Sequence, residues 1–198
     1  MSAAGAGGAV VRRCDVPTVA PRAPRRSGSI VGIHHTPLIT TREAVPEDFV
    51  RYFAEAFDEL SPESRHLRFF TAVRELPANV LERLANVDGV INAAVIAFDA
   101  AADMPDHPEG KPIGVARWMG NPVGPPELSV TVIDEYQGLG VGSRLMDALL
   151  VLARKRGVRR IIADVLRENT AMRALINRYR AVVQPSGDSV VVRYRVDV

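Results

Sequence analysis

A mixed α/β fold, a central β-sheet flanked by helices, is what this sequence predicts. Three observations carry it. Residues 46–87 place apolar side chains at helical spacing. Residues 90–98 are apolar and β-branched, and with a second strand over 113–119 they flank a polar segment, which reads as a hairpin. Beyond residue 128, strand-like and helix-like patterns alternate. Helices, then a β-meander, then β-α-β-α-β is the pattern of one sheet covered by helices.

Each element follows from local chemistry. Residues 38–42 read as a short strand. Pro46-Glu47-Asp48 opens a helix, because proline suits the first turn and acids suit the positive end of its dipole. Phe49, Phe53, Ala56, Phe57 and Leu60 continue it at helical spacing. Ser61 is the N-cap of a second helix with Pro62 at its first position, ending near Phe69-Phe70. A third, short helix over residues 77–87 turns Val80, Leu81 and Leu84 inward. Residues 90–98 then predict a buried strand, 100–110 a polar turn, and 113–119 and 128–133 two further strands. Residues 140–156 form a long helix, apolar at Val141, Leu145, Ala148, Leu149 and Leu152. A strand over 160–166, a helix over 169–179 and a strand over 189–196 complete the chain.

The chain has 198 residues and a net charge of +2. That length suits one domain plus a tail. The charge is uneven: residues 1–28 hold five arginines and one acid, whereas the remaining 170 hold 20 basic and 22 acidic groups. Residues 1–28 are built from Ala, Gly, Pro and Arg without an aromatic residue, and are expected to be a disordered basic tail. Residues 29–198 are expected to be the folded domain. The tail has no Leu-rich segment of a secretory signal, though its Arg-rich, acid-poor composition also fits a transit peptide. The longest apolar run is about six residues against the roughly 20 of a membrane span, so the chain is read as cytoplasmic. The single Cys14 excludes an intramolecular disulfide and a cysteine-based zinc site. His34-His35, His66 and His107 are scattered, so no metal site is expected.

Gln137-Gly138-Leu139-Gly140-Val141-Gly142 lies between a strand and the long helix. Three glycines in five residues expose backbone N–H groups, and the helix N-terminus behind them adds partial positive charge, which is how a phosphate or pyrophosphate is cradled. Ser143 and Arg144 continue into the first helical turn, Arg144 offering a counter-charge. A tight turn that merely needs positive φ explains the glycines equally well. The dinucleotide fingerprint sits poorly two-thirds along the chain, and the Walker pattern lacks its Lys-Ser/Thr.

Q-x-x-G-x-G after a strand resembles the acyl-CoA-binding motif of the GNAT family of N-acetyltransferases, with Gln137, Gly140 and Gly142 at its marked positions. The resemblance implies the GNAT fold, with acetyl-CoA as co-substrate. It implies that the turn amides hold the coenzyme pyrophosphate and that Val130 and Val132 offer backbone groups to the pantetheine arm. Glu168-Asn169-x-x-Met172-x-x-Leu175 is similar to the family's second motif, which puts Asn169 near the pantetheine. Leu60-Ser61-Pro62-Glu63-Ser64-Arg65, Leu67-Arg68-Phe69-Phe70 and Glu127-Leu128-Ser129-Val130-Thr131-Val132 resemble the catalytic domain of bacterial protein lysine acetyltransferases that modify acyl-CoA synthetases. That resemblance spans about residues 38–197, and it implies a protein lysine as acceptor.

An amine attacks a thioester only when neutral, and a lysine is roughly 0.04% neutral at pH 7, a deficit of about 4.6 kcal/mol. A positioned carboxylate offsets much of this. Glu127 follows Pro125-Pro126 at the strand's mouth, and by alternation shares a face with Ser129 and Thr131. A solvated acid at a strand start is the plain reading; the resemblance makes Glu127 the general base. Asp134 and Glu135 are read as a solvated turn, and Phe69-Phe70 as core. Where many relatives carry a tyrosine that protonates the leaving thiolate, this chain has Ile176, with Tyr179 one turn later. Arg180 replaces the glycine that commonly ends that helix. The basic cluster Arg154-Lys155-Arg156 and Arg159-Arg160 is read as favourable charge at a helix C-terminus. It lacks interleaved aromatics, so nucleic acid is not expected as a partner. Two rivals stay open: acetylation of a small amine or a peptide N-terminus, and a non-catalytic acyl-CoA sensor.

Overall fold

β1 (Ile39–Glu43) runs into α1 (Pro46–Asp58) through a junction fixed by charge. The Asp48 carboxylate accepts the Val45 N–H at 2.8 Å and is held by Arg42 at 2.6 and 2.8 Å. Arg42 also binds Glu109 at 2.6 Å through both Nε and Nη2. The computed structural model describes residues 36–104, 107–121 and 123–198. The basic tail, Cys14 and the His34-His35 pair lie outside the described residues. Thr36–Val198 forms one unit.

α2 (Pro62–Phe69) and α3 (Ala78–Ala85) follow, then β2 (Ala93–Asp99), β3 (Lys111–Asn121) and β4 (Gly124–Val132). A single 3-10 turn, Asp134–Tyr136, leads to α4 (Val141–Lys155). β5 (Arg160–Leu166), α5 (Thr170–Asn177), β6 (Val182–Gln184) and β7 (Val191–Asp197) end the chain. The seven strands form one sheet in the order β1-β2-β3-β4-β5-β7-β6. All neighbours are antiparallel except β4 and β5. The predicted mixed sheet flanked by helices is the observed architecture.

Strand alternation sends side chains to two cores. α4 packs on β1 to β4, where Ala93, Val95, Ala97, Ala116 and Trp118 meet Leu145, Met146 and Leu149. Those three helical side chains have no exposed surface, and each contributes about 2 kcal/mol by burial. On the other face Ala94, Ile96 and Phe98 cluster with Phe49 and Tyr52 of α1 and Leu84 of α3. Arg117 points the same way. It is buried, donates to the Leu84 carbonyl at 2.9 Å and sits over the Phe49 ring. Burial, with repulsion from Arg68 and Arg83, pulls its guanidinium down to about 10.

The structure corrects the expected elements at two points and shows how the chain turns where the glycine is missing. Residues 90–92 are not strand: Asp88 Oδ1 accepts the N–H groups of Val90, Ile91 and Asn92 at 2.7, 2.7 and 2.9 Å. That leaves Val90 and Ile91 exposed, and β2 starts at Ala93. β6 was hidden because it is three residues long, and it pairs only with β7. Arg180 takes the left-handed conformation (φ 53°) that a glycine commonly supplies after such a helix.

Candidate active site

The cleft originates in a sheet defect. β4 and β5 meet at a single register pair, Glu127 with Ile162, and then part. The Ile133 N–H donates to the Ile113 carbonyl. In an antiparallel pair such bonding alternates, so odd-numbered residues of β4 bond toward β3. Val130 and Val132 therefore turn their N–H and C=O groups toward β5, where no strand receives them. The Val132 carbonyl accepts Gln137 Nε2 at 3.1 Å. A cleft of about 480 Å³ follows this edge, lined by residues 127–132, Gln137, Gly138, Gly140, Gly142, Ser143 and Asn169 among others.

One end of the cleft is the glycine turn. Gly138 (φ 75°) and Gly140 (φ 87°) adopt the left-handed conformation, Gly140 as the N-cap of α4. A Cβ on either would meet nothing within 4 Å, so backbone conformation demands glycine there. Gly142 has another reason: a Cβ would lie 3.2 Å from Leu175 Cδ2. The first intrahelical bond runs from Arg144 N–H to Gly140 C=O at 3.1 Å. The N–H groups of Val141, Gly142 and Ser143 precede it and lack helical acceptors. Val141 can offer only backbone, since its side chain is in the core. Leu139 is half-exposed and Arg144 exposed, and neither side chain lines the cleft. Asn169 lines it and caps α5, its Oδ1 accepting the Met172 N–H at 2.9 Å. The basic cluster lies at the far end of α4, roughly 22 Å along the helix. There Arg156 pairs with Glu43 at 3.0 Å.

α2 runs antiparallel to β4 along the cleft. At its start, Asp134 accepts Ser61 N–H (3.0 Å), Ser61 Oγ–H (2.7 Å) and Ser64 Oγ–H (2.9 Å). Gln137 Nε2 reaches Ser64 Oγ at 3.1 Å. Asp134 is an exposed turn residue, as expected, but its carboxylate is engaged by α2 rather than left to solvent alone. Burial opposes its ionisation, but the Ser61 and Ser64 bonds prevail and its carboxyl falls below the ordinary range. Further along, His66 meets Glu168, the residue before Asn169, at 3.1 Å, and Arg68 Nη2 donates to Ser129 Oγ at 3.0 Å.

The other end of the cleft holds Glu127, exposed at the junction of β4 and β5. Ser129 and Thr131 share its side of the strand. Ser129 carries the bond to Arg68, and Thr131 borders a 40 Å³ apolar cavity beneath α1. Arg68 lines both cavity and cleft. Glu127 is the carboxylate whose charge acts on it against the depression caused by burial. Phe69 packs against Phe57 as expected (5.9 Å), whereas Phe70 does not join the core: it is 42% exposed and lines the cleft. Arg68 and Phe70 were not singled out by spacing, since charge and aromatic character on a helix say nothing of a neighbouring strand. Ile176 is fully buried. Tyr179 lies outside the cleft wall, its hydroxyl against Asp147 Oδ1 (2.9 Å) and the Ser143 carbonyl (3.0 Å).

The cleft where the two parallel strands part, closed at one end by a glycine-capped helix, is where the Q-x-x-G-x-G motif falls. Residues 96–180 match the acetyltransferase (GNAT) family, a span holding β4, the glycine turn, α4, β5 and α5. Over those residues the chain is similar to that family. An acetyltransferase of Pseudomonas aeruginosa is 32% identical over 119 residues, covering 60% of this chain and 61% of its own. Acetyltransferase Pat of Mycolicibacterium smegmatis is 37% identical over 142 residues, covering 71% of this chain and 40% of its own. The chain thus spans less than two thirds of either relative. The crystal structure of the GNAT domain of S. lividans PAT superposes with a TM-score of 0.68 at 26% identity, covering 80% of this chain and 89% of that one.

Proposed function

We propose that this chain transfers the acetyl group of acetyl-CoA to an amine, the lysine side chain of a protein such as an acyl-CoA synthetase. The observation that carries the reading is the arrangement of the cleft. Free amides of a helix N-terminus stand at one end, the unpaired edge of β4 in the middle, and a carboxylate at the other end. The coenzyme's phosphates take the amides of Gly138 to Ser143, and its extended arm pairs with Val130 and Val132. The amine loses a proton to Glu127, directly or through one water, and its nitrogen attacks the thioester carbon. A β4 N–H steadies the tetrahedral oxyanion. The intermediate collapses with the C–N bond kept and the C–S bond broken; coenzyme A leaves as thiolate, and the nitrogen's remaining extra proton passes to water. With an ordinary thiol pKa near 8.5, that thiolate departs without a dedicated acid, which accords with Ile176 in place of tyrosine.

The lysine acceptor draws on the resemblance over residues 38–197; the donor draws on the cleft itself. Incubation with acetyl-CoA and purified acyl-CoA synthetases, followed by mass-spectrometric mapping of modified lysines, tests the acceptor. Acetylation of free amines but of no synthetase would favour the small-amine rival. Glu127→Gln tests the chemistry: it should keep acetyl-CoA affinity and lose turnover by about 10²-fold or more. Unchanged turnover removes Glu127 as the base, and affinity without turnover in the unaltered chain identifies a sensor.

A further inference from the structure

α2 ends on a residue that gains little from its own position. Phe70 has φ 61° and ψ 14°, left-handed and unusual for any residue with a side chain. Helix ends of this form favour glycine or asparagine. In this conformation the Phe70 N–H still donates to the His66 carbonyl at 2.8 Å, closing the last turn. A phenylalanine in such a place is commonly repaid by burial, but this ring is 42% exposed. Its neighbour Phe69 is the one that packs inward. Strain without burial is the signature of a residue kept for its contact with something else.

The direction of α2 says where that contact falls. Ser61 and Ser64 lie at the phosphate end, by Asp134 and Gln137, and Arg68 reaches Ser129, two residues from Glu127. Phe70 lies beyond Arg68, hence at the Glu127 end. Leu67, Phe70 and Glu127 all line the same cleft. An apolar wall beside a carboxylate matches a primary amine carried on a flexible aliphatic stem. The nitrogen addresses the carboxylate, and the methylenes lie along the ring and the leucine.

We propose that Phe70 is a specificity-determining residue on the acceptor side, its ring packing along the aliphatic stem of the lysine that Glu127 deprotonates. This rests on the lysine reading above. The test compares an Nα-blocked lysine peptide with methylamine, which has no stem, in the unaltered chain and in Phe70→Ala, Phe70→Gly and Phe70→Leu, with saturating acetyl-CoA. Phe70→Ala and Phe70→Gly should raise KM for the lysine peptide about tenfold, leaving kcat/KM for methylamine and KM for acetyl-CoA within about twofold. Phe70→Leu should restore most of the loss. Phe70→Gly relieves the left-handed strain and should melt no lower than Phe70→Ala, which separates the kinetic effect from unfolding. An unmoved lysine KM, an equal loss for both amines, or a parallel rise in acetyl-CoA KM overturns the Phe70 assignment alone. No lysine acetylation by the unaltered chain overturns the lysine reading, and this one with it.

Discussion

Arg68 of α2 donates to Ser129 Oγ of β4 at 3.0 Å, across 61 residues of sequence. Together with the bonds from Ser61 and Ser64 to Asp134, it pins α2 at two points, one on the strand that forms the cleft edge and one on the turn that follows it. The helix buries no residue completely, so its placement depends on these polar ties more than on core packing.

Replacing Asp134 with alanine should expose that dependence. Three donors lose a charged acceptor, partly offset because the site is solvent-screened, so stability should fall by about 1 kcal/mol. Ser64 also meets Gln137, which caps the Val132 carbonyl, so KM for acetyl-CoA should rise several-fold while kcat changes less. Urea unfolding and steady-state kinetics check the two halves. A stability loss with unchanged KM would show that α2 is held independently of the cleft.

The glycine turn makes a sharper contrast. Gly140→Ala adds a methyl that touches nothing, so its whole effect is the cost of φ 87° in a residue with a Cβ, about 1–2 kcal/mol. Gly140→Glu adds a carboxylate where phosphates are proposed to sit. Thermal shift with acetyl-CoA should show a lower melting point but retained protection for the alanine variant, and no protection for the glutamate variant. Full protection of Gly140→Glu would refute the cradle.

Most elements were legible because their signals are local. Pro46 and Pro62 mark helix starts, the hairpin strands are β-branched, and the glycine turn announces the helix behind it. What escaped the sequence depends on partners distant along the chain. Asp88 takes the amides of residues 90–92, so an apolar run that reads as strand becomes an exposed loop. Asp134 looks like a repulsive solvated acid until Ser61 and Ser64 arrive. The motifs drew attention to Glu127, Gln137 and Asn169, which the structure brings to one cleft, whereas the place of Arg68 and Phe70 in that cleft shows only once α2 lies beside β4.

Acid sensitivity should trace to the Arg42 cluster. Burial opposes ionisation of Asp48, but the Arg42 bonds and the Val45 N–H prevail and hold it below its ordinary 3.8. Bonding to Arg42 likewise holds Glu109 below its ordinary 4.5. With folded values below unfolded ones, their stabilisation is full above the unfolded values and is lost as pH falls through the folded ones. Urea midpoints should be level from pH 7 to 5 and drop below about pH 4.5. Asp48→Asn should lose about 1–3 kcal/mol at pH 7 and show a shallower drop. Parallel pH curves for the two proteins would move the acid sensitivity elsewhere.

Tyr179 is the residue on which a general-acid mechanism would have to depend, and its surroundings argue otherwise. Its hydroxyl meets Asp147 and the Ser143 carbonyl. Burial first, then Asp147, pushes the phenol up to about 12. A proton donor must reach the departing sulfur, yet this ring is outside the cleft wall and instead steadies Ser143, in the first turn of α4. Tyr179→Phe should therefore cost about 1 kcal/mol of stability, seen as a melting point lower by about 2–4 °C. It should keep kcat within about threefold and leave the alkaline limb of the pH–rate profile in place. A fall in kcat of about 10²-fold, with that limb abolished, would assign the acid to Tyr179 after all.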